Sequence, residues 1–94
     1  MPSARARAVF EHIGANVAKG RARARLTQEA LAEAADLDLR FLQRVERGKT
    51  NLSVAVVVAL ADALRIPPGQ LLRPARLPEV RKRRPPTRKA RPRS

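Results

Sequence analysis

Residues 27–48, TQEALAEAADLDLRFLQRVERG, constrain the chain more than any other stretch, because they read as two short helices joined by a tight turn. Leu31, Ala32 and Ala35 fall on one face of a helix, and after the Asp36-Leu37-Asp38 interruption Leu42 and Val45 do so again. Arg40, Gln43, Arg44 and Arg47 follow i, i+3, i+4, i+7 spacing. At about 100° per residue this second stripe points away from Leu42 and Val45. One side of the second helix therefore packs, and the other is long, cationic and rich in hydrogen-bond donors. By itself such a helix suits a solvated surface as well as it suits a reader of nucleic acid.

The flanking chain adds helices on both sides. Ser3 is a candidate N-cap, and Val9, Ile13 and Val17 form a stripe with Phe10 beside it, predicting a helix over about 5–23. Gly14 within it suits close helix packing, and Gly20 marks fraying near its end. Thr27 caps the second helix, with Leu26 and Leu31 placed as a hydrophobic staple. Asp36 takes the left-handed turn position, Asp38 caps the third helix, and Gly48 stops it. Ser53 caps a fourth helix reaching about residue 64. Its valines favour strand locally, but Val57, Leu60, Ala61 and Leu64 keep helical spacing. Ile66-Pro67-Pro68 ends that helix, and residues 68–72 make one last helical turn. No strand pair, hairpin or repeat is signalled. The expected organisation is an all-α domain over 1–72, followed by a disordered Arg/Pro-rich basic tail over 73–94.

Charge narrows the partner. The net charge is +13 at pH 7, and residues 73–94 hold ten basic residues against one acid, Glu79. Such an excess calls for an anionic partner, nucleic acid first. A membrane-surface helix wants aromatic or leucine-rich apolar faces, and single-strand binders want aromatic stacking platforms. Phe10 and Phe41 are the only aromatic residues, which disfavours both. There is no cysteine, so neither a disulfide framework nor a thiolate metal site is available. No apolar run spans a bilayer, and the first residues lack the apolar core of a secretory signal, so a cytoplasmic, nucleoid-associated location is expected. No Ser-His-acid set, phosphate-binding glycine loop or metal-ligand spacing is present. The expectation is therefore no enzyme, no cofactor and no metal. His12, the lone histidine, reads as a surface residue of the first helix, and Phe41 as a core or half-core residue beside the fourth helix.

The sequence resembles the phage-repressor-like (Cro-type, xenobiotic-response-element-like) helix-turn-helix proteins. The matching residues are Ile13-Gly14-Ala15-Asn16-Val17, Arg21, Leu26-Thr27-Gln28 and Leu31-Ala32. They continue with Leu37 through Val45-Glu46-Arg47-Gly48, Asn51, Ser53 and Leu60-Ala61-Asp62-Ala63-Leu64. The resemblance implies a compact five-helix, lambda-repressor-like domain whose third helix lies in the major groove of double-stranded DNA. It implies that Gln28 donates to a phosphate, and that Leu39, Arg40, Gln43 and Arg44 face base edges or neighbouring phosphates. Arg47, Lys49, Thr50 and Asn51 are implied to flank the backbone. Arg21 and Glu46 match an inward-facing ion pair joining the first and third helices. Leu39 brings no hydrogen bond to its position but can touch a thymine methyl.

The functional expectation is a sequence-specific, homodimeric transcription regulator of the repressor-like kind, with helix 38–47 in the groove and a dimer surface near Leu64 to Leu72. Two other readings fit the same residues. One is an antitoxin that binds a toxin and its own promoter. The other is an RNA-associated basic protein. The tail serves either as a solubilising polybasic segment or as a phosphate contact that makes affinity steeply salt-dependent. Its Lys89-Ala90-Arg91-Pro92-Arg93 run is only loosely like an AT-hook core, lacking the glycine.

Overall fold

The computed structural model describes residues 2–75. Four α-helices, α1 (Ala4–Ala24), α2 (Gln28–Ala35), α3 (Leu39–Glu46) and α4 (Val54–Leu64), are followed by a 3-10 turn, Pro68–Leu72. Among the described residues there is no strand. Among the described residues the expected five-helix count is thus corrected to four α-helices and one 3-10 turn. The last segment has no room to become an α-helix. Pro68 opens it without a side-chain cap. Pro74 then holds Arg73 extended at φ −66°, ψ 144°. The expected tail lies, past Ala75, outside the described residues.

Each α-helix starts on the cap its sequence offers. Ser3, Thr27, Asp38 and Ser53 each accept a backbone N–H from the first turn of the helix that follows. Each also ends the same way, in a left-handed residue whose N–H bonds back three residues while the next N–H bonds back five. The left-handed residue is Gly48 after α3, but it is Arg25, Asp36 and Arg65 after α1, α2 and α4. A side chain there costs about 1–2 kcal/mol. The residues that follow, Leu26, Leu37 and Ile66, all pack against the core and offset that cost.

The core joins Ile13 and Val17 of α1, Leu31 of α2, Leu42 and Val45 of α3, Leu60 and Leu64 of α4, and Leu71. α1 packs on α3 and on the 3-10 turn, and α2 packs between α3 and α4. Gly14 sets the α1–α3 approach. A Cβ there would collide with the Val45 carbonyl oxygen and come within 3.0 Å of Gly48 N. Gly20 is a correction to the expected fraying. It lies inside α1, buried, and a Cβ there would meet Leu64 Cδ1 at 3.1 Å. Among the described residues no helix is long and apolar enough to cross a membrane.

Candidate nucleic-acid interface

α3 is the helix with two sharply different sides. Leu42, Val45 and Glu46 are buried, while Arg40 and Arg44 are exposed and Gln43 is half-buried. Asp38 Oδ1 holds its start, accepting from Arg40 N at 2.7 Å and more weakly from Phe41 N. The carboxylate also suits the positive end of the helix. Arg47 follows the last helical residue and is exposed, as are Lys49 and Asn51, whereas Thr50 is half-buried. Among the described residues the one ion pair is Arg21–Glu46. Arg40, Arg44, Arg47 and Lys49 therefore have no carboxylate partner there. Their charge is available to an anion arriving from outside.

The other sequence-selected residues take more specific positions. Leu39 is half-buried and packs against the core, so its side chain is shared between core and surface. Phe41 is half-buried against the core, and the Arg44 guanidinium stands 5.7 Å from its ring centroid. That contact is worth about 0.5–1 kcal/mol at an exposed site and restrains the arginine on the outer face.

Arg21 and Glu46 form the expected tie between α1 and α3. Arg21 Nε donates to Glu46 Oε2 at 2.7 Å and Nη2 to Oε1 at 3.0 Å, a two-point pairing. Arg21 Nη1 also donates to the Leu26 carbonyl at 3.1 Å, tying the α1–α2 turn to the same place. Glu46 is 8% exposed, and its hydrogen bond raises the Arg21 pKa above the ordinary value. Gln28, the first residue of α2, donates to Glu46 Oε1 at 3.0 Å. Its oxygen accepts from Gln43 at 3.4 Å. Arg21, Gln28, Gln43 and Glu46 are thus one connected group spanning three helices.

A second polar group joins α1 to the chain after the 3-10 turn. Asn16 Nδ2 donates to the carbonyls of Leu71 and Arg73, each at 2.9 Å, and the Ala75 N–H donates to His12 Nδ1 at 3.2 Å. His12 is therefore half-buried rather than a plain surface residue. The partners lie 55–63 residues apart in sequence, beyond any helical or turn pattern. The only hint was a polar Asn16 between Ala15 and Val17 on a packed helix.

Comparison with known proteins decides the class. The helix-turn-helix family profile matches residues 17–71, from the middle of α1 through nearly all of the 3-10 turn. The chain belongs to the helix-turn-helix family. It is an all-α, DNA-binding transcription regulator by that membership. Among solved structures it is similar to the restriction-modification controller protein C.AhdI from Aeromonas hydrophila. The two share 35% identity, over 66% of this chain and 94% of that one, with a TM-score of 0.64. It is also similar to a hypothetical transcription factor, NHTF, from Neisseria, at 29% identity over 70% and 76% of the two chains with a TM-score of 0.68. The clp gene regulator ClgR from Corynebacterium glutamicum matches at 28% identity over 68% of each chain, TM-score 0.66. No curated protein sequence matches. In helix-turn-helix terms, α2, the left-handed Asp36 turn and α3 are the motif itself.

Proposed function

We propose that this regulator is sequence-specific and inserts α3 into the major groove of double-stranded DNA. The observation that carries the reading is the outer face of α3, where Arg40, Gln43 and Arg44 stand together without an acidic partner among the described residues. The opposite face is locked into the core. Arginine forked onto guanine, or glutamine onto adenine, discriminates by about 1–3 kcal/mol per base. Arg47, Lys49, Thr50 and Asn51 follow α3 and contact the phosphate backbone beside it. The remaining N–H of Gln28 contacts a phosphate at the start of α2, and Leu39 at the first turn of α3 meets a thymine methyl.

The protein binds as a homodimer to a two-fold-related site, its half-sites about 34–36 Å apart. An apolar groove lined by Val9, Phe10, Leu52, Val54, Val58 and Leu72 supports this. Val54 is 79% and Leu72 48% exposed, more than an isolated small domain gains by leaving open. Within the expected 64–72 surface, Leu64 and Leu71 are buried in the core, so the contact shifts to Leu72 and the start of α4.

Selection of binding sites from random duplex DNA at physiological ionic strength tests the reading, using the full chain and an Arg40→Ala/Arg44→Ala variant. The expected result is a two-fold-related motif that collapses in the variant. Binding of all sequences alike, with no enriched motif, overturns it. Sedimentation that shows only monomer, free and on DNA, overturns the dimer.

A further inference from the structure

A line of hydrogen bonds runs from the buried ion pair to the outer face of α3. Glu46 is a carboxylate and only accepts. Arg21 engages both of its oxygens, and Oε1 also accepts from Gln28 Nε2 at 3.0 Å. With Nε2 turned toward Glu46, Gln28 must present its oxygen the other way. That oxygen accepts from Gln43 Nε2 at 3.4 Å. A carboxamide is nearly symmetric in shape, and either end normally fits either way round. Here the order is set by a group that cannot donate. Turning Gln28 over would press its oxygen against the Glu46 carboxylate. Turning Gln43 over would oppose two carbonyl oxygens. The first flip sets an acceptor against a buried charge, where such a contact is costly, and the second exchanges a longer, weaker hydrogen bond between two half-buried amides for a contact between acceptors.

We propose that Glu46, acting through Gln28, is a positioning residue that fixes the amide polarity of Gln43 and thereby makes Gln43 select adenine in the base pair it faces. The inference rests on the reading of α3 as the major-groove helix. With Nε2 held on the α2 side, Gln43 offers its oxygen and its second N–H together. One acceptor beside one donor complements the N6 amino group and N7 of adenine. Guanine places acceptors at both O6 and N7, so the fixed oxygen opposes it. A glutamine free to turn over adapts to more than one base. The Arg21–Glu46 pair is then part of the specificity apparatus as well as a tie between helices.

The test is site selection followed by competition binding with full-length wild type, Gln43→Ala, Gln28→Met and Glu46→Gln. Gln43→Ala locates the base pair that Gln43 reads. Wild type is expected to prefer adenine there by about tenfold or more. Gln28→Met and Glu46→Gln are expected to lose most of that preference at the same base pair, while the pairs read by Arg40 and Arg44 stay discriminated. Melting curves report the fold separately, and a loss of folding affects every position alike. Gln28→Met that weakens all sequences evenly and keeps the adenine preference overturns the proposal, leaving Gln28 a phosphate contact alone. Gln43→Ala that alters no base preference also overturns it, with α3 still the reading helix. Failure of the parent reading looks different, since wild type then enriches no motif at all.

Discussion

Gly14→Ala gives the sharpest test of how the reading helix is held. In an open helix this change stabilises by about 1 kcal/mol, because alanine restricts the unfolded chain and favours helix. At this position the new methyl has no room. It collides with the Val45 carbonyl oxygen and reaches 3.0 Å from both Glu46 O and Gly48 N. These are backbone atoms at the end of α3, so no rotamer change relieves the overlap. The Val45 carbonyl also accepts the Gly48 N–H at 2.9 Å, part of the bonding that terminates the helix. α1 and α3 must separate, loosening contacts among Ile13, Val17, Leu42 and Val45. Overpacking of this kind costs about 1–3 kcal/mol, and against backbone the upper part of that range applies. After the propensity gain, a net loss of about 2 kcal/mol remains, or a Tm lowered by roughly 8–16 °C in a domain this small. Gly20→Ala is the control. Its methyl meets only the end of the Leu64 side chain, at 3.1 Å, which can turn aside. It is expected to melt at or above wild type. Thermal and urea denaturation followed by circular dichroism compare the three proteins. A Gly14→Ala protein as stable as wild type, or two variants destabilised alike, would refute the argument.

The helix ends and the ion pair give further expectations. Replacing the left-handed Asp36 by glycine is expected to stabilise by about 1 kcal/mol, since it removes both the Cβ strain and a negative charge at a helix C-terminus. Asp36→Ala retains the strain and should show no such gain in urea melts. Arg21→Ala strands the buried Glu46 carboxylate. The arginine is 23% exposed, so the loss should fall near 3 kcal/mol, the low end for breaking a buried pair. The double change Arg21→Met/Glu46→Leu should recover most of it, and a double variant as unstable as Arg21→Ala contradicts the desolvation account. Deleting residues 76–94 removes nine basic residues. It should weaken binding to all DNA sequences together and flatten the salt dependence, each lost phosphate contact reducing the slope by about 0.9. Selective loss of discrimination, with non-specific affinity intact, would contradict this.

The helix starts were legible because their signals are local. Ser3, Thr27, Asp38 and Ser53 each sit directly before an apolar periodic run, and all four cap. The ends were less legible. Gly48 announces itself, and Asp36 is a tolerable substitute, but Arg25 and Arg65 carry no propensity for the left-handed region. The signal that was available lies one residue later, in the apolar Leu26, Leu37 and Ile66 that fasten each turn to the core. Gly20 was misread because packing and fraying leave the same residue in a sequence. Only the facing Leu64, 44 positions away, distinguishes them. At the candidate interface, periodicity separated the outer arginines of α3 from its buried face. It had no access to the bond from Gln28 to Glu46, because that bond depends on how α2 and α3 are set against each other. The fifth helix came from the resemblance, and Pro68 and Pro74 are the local residues that limit it to a 3-10 turn.

α3 has only eight residues, fewer than the roughly 12–15 that give even a marginal helix alone in water. Its shape is therefore set by its surroundings, and these are unequal along its length. The C-terminal end is gripped by Gly14, by Arg21 through Glu46, and by the close fit of Gly48 against Glu11. The outer face rests on little beyond the Asp38 cap and the Arg44–Phe41 contact. Arg40 should therefore be replaceable with a change in stability within about 0.5 kcal/mol, as for surface positions generally, and Arg44 with a loss of no more than about 1 kcal/mol, the Phe41 contact included. New base preferences at those positions are then accessible without loss of fold. Gln43 differs, because its amide is bonded through Gln28 to the group that holds the helix in place. A change of preference there requires a compensating change at Gln28, and paired substitutions should succeed where single ones fail. Selecting functional variants from a library randomised at 28, 40, 43 and 44 measures this directly. Pairing between 28 and 43, with 40 and 44 varying independently of both, is the expected pattern. Independence of all four positions would mean that α3 is held in place without the amide relay.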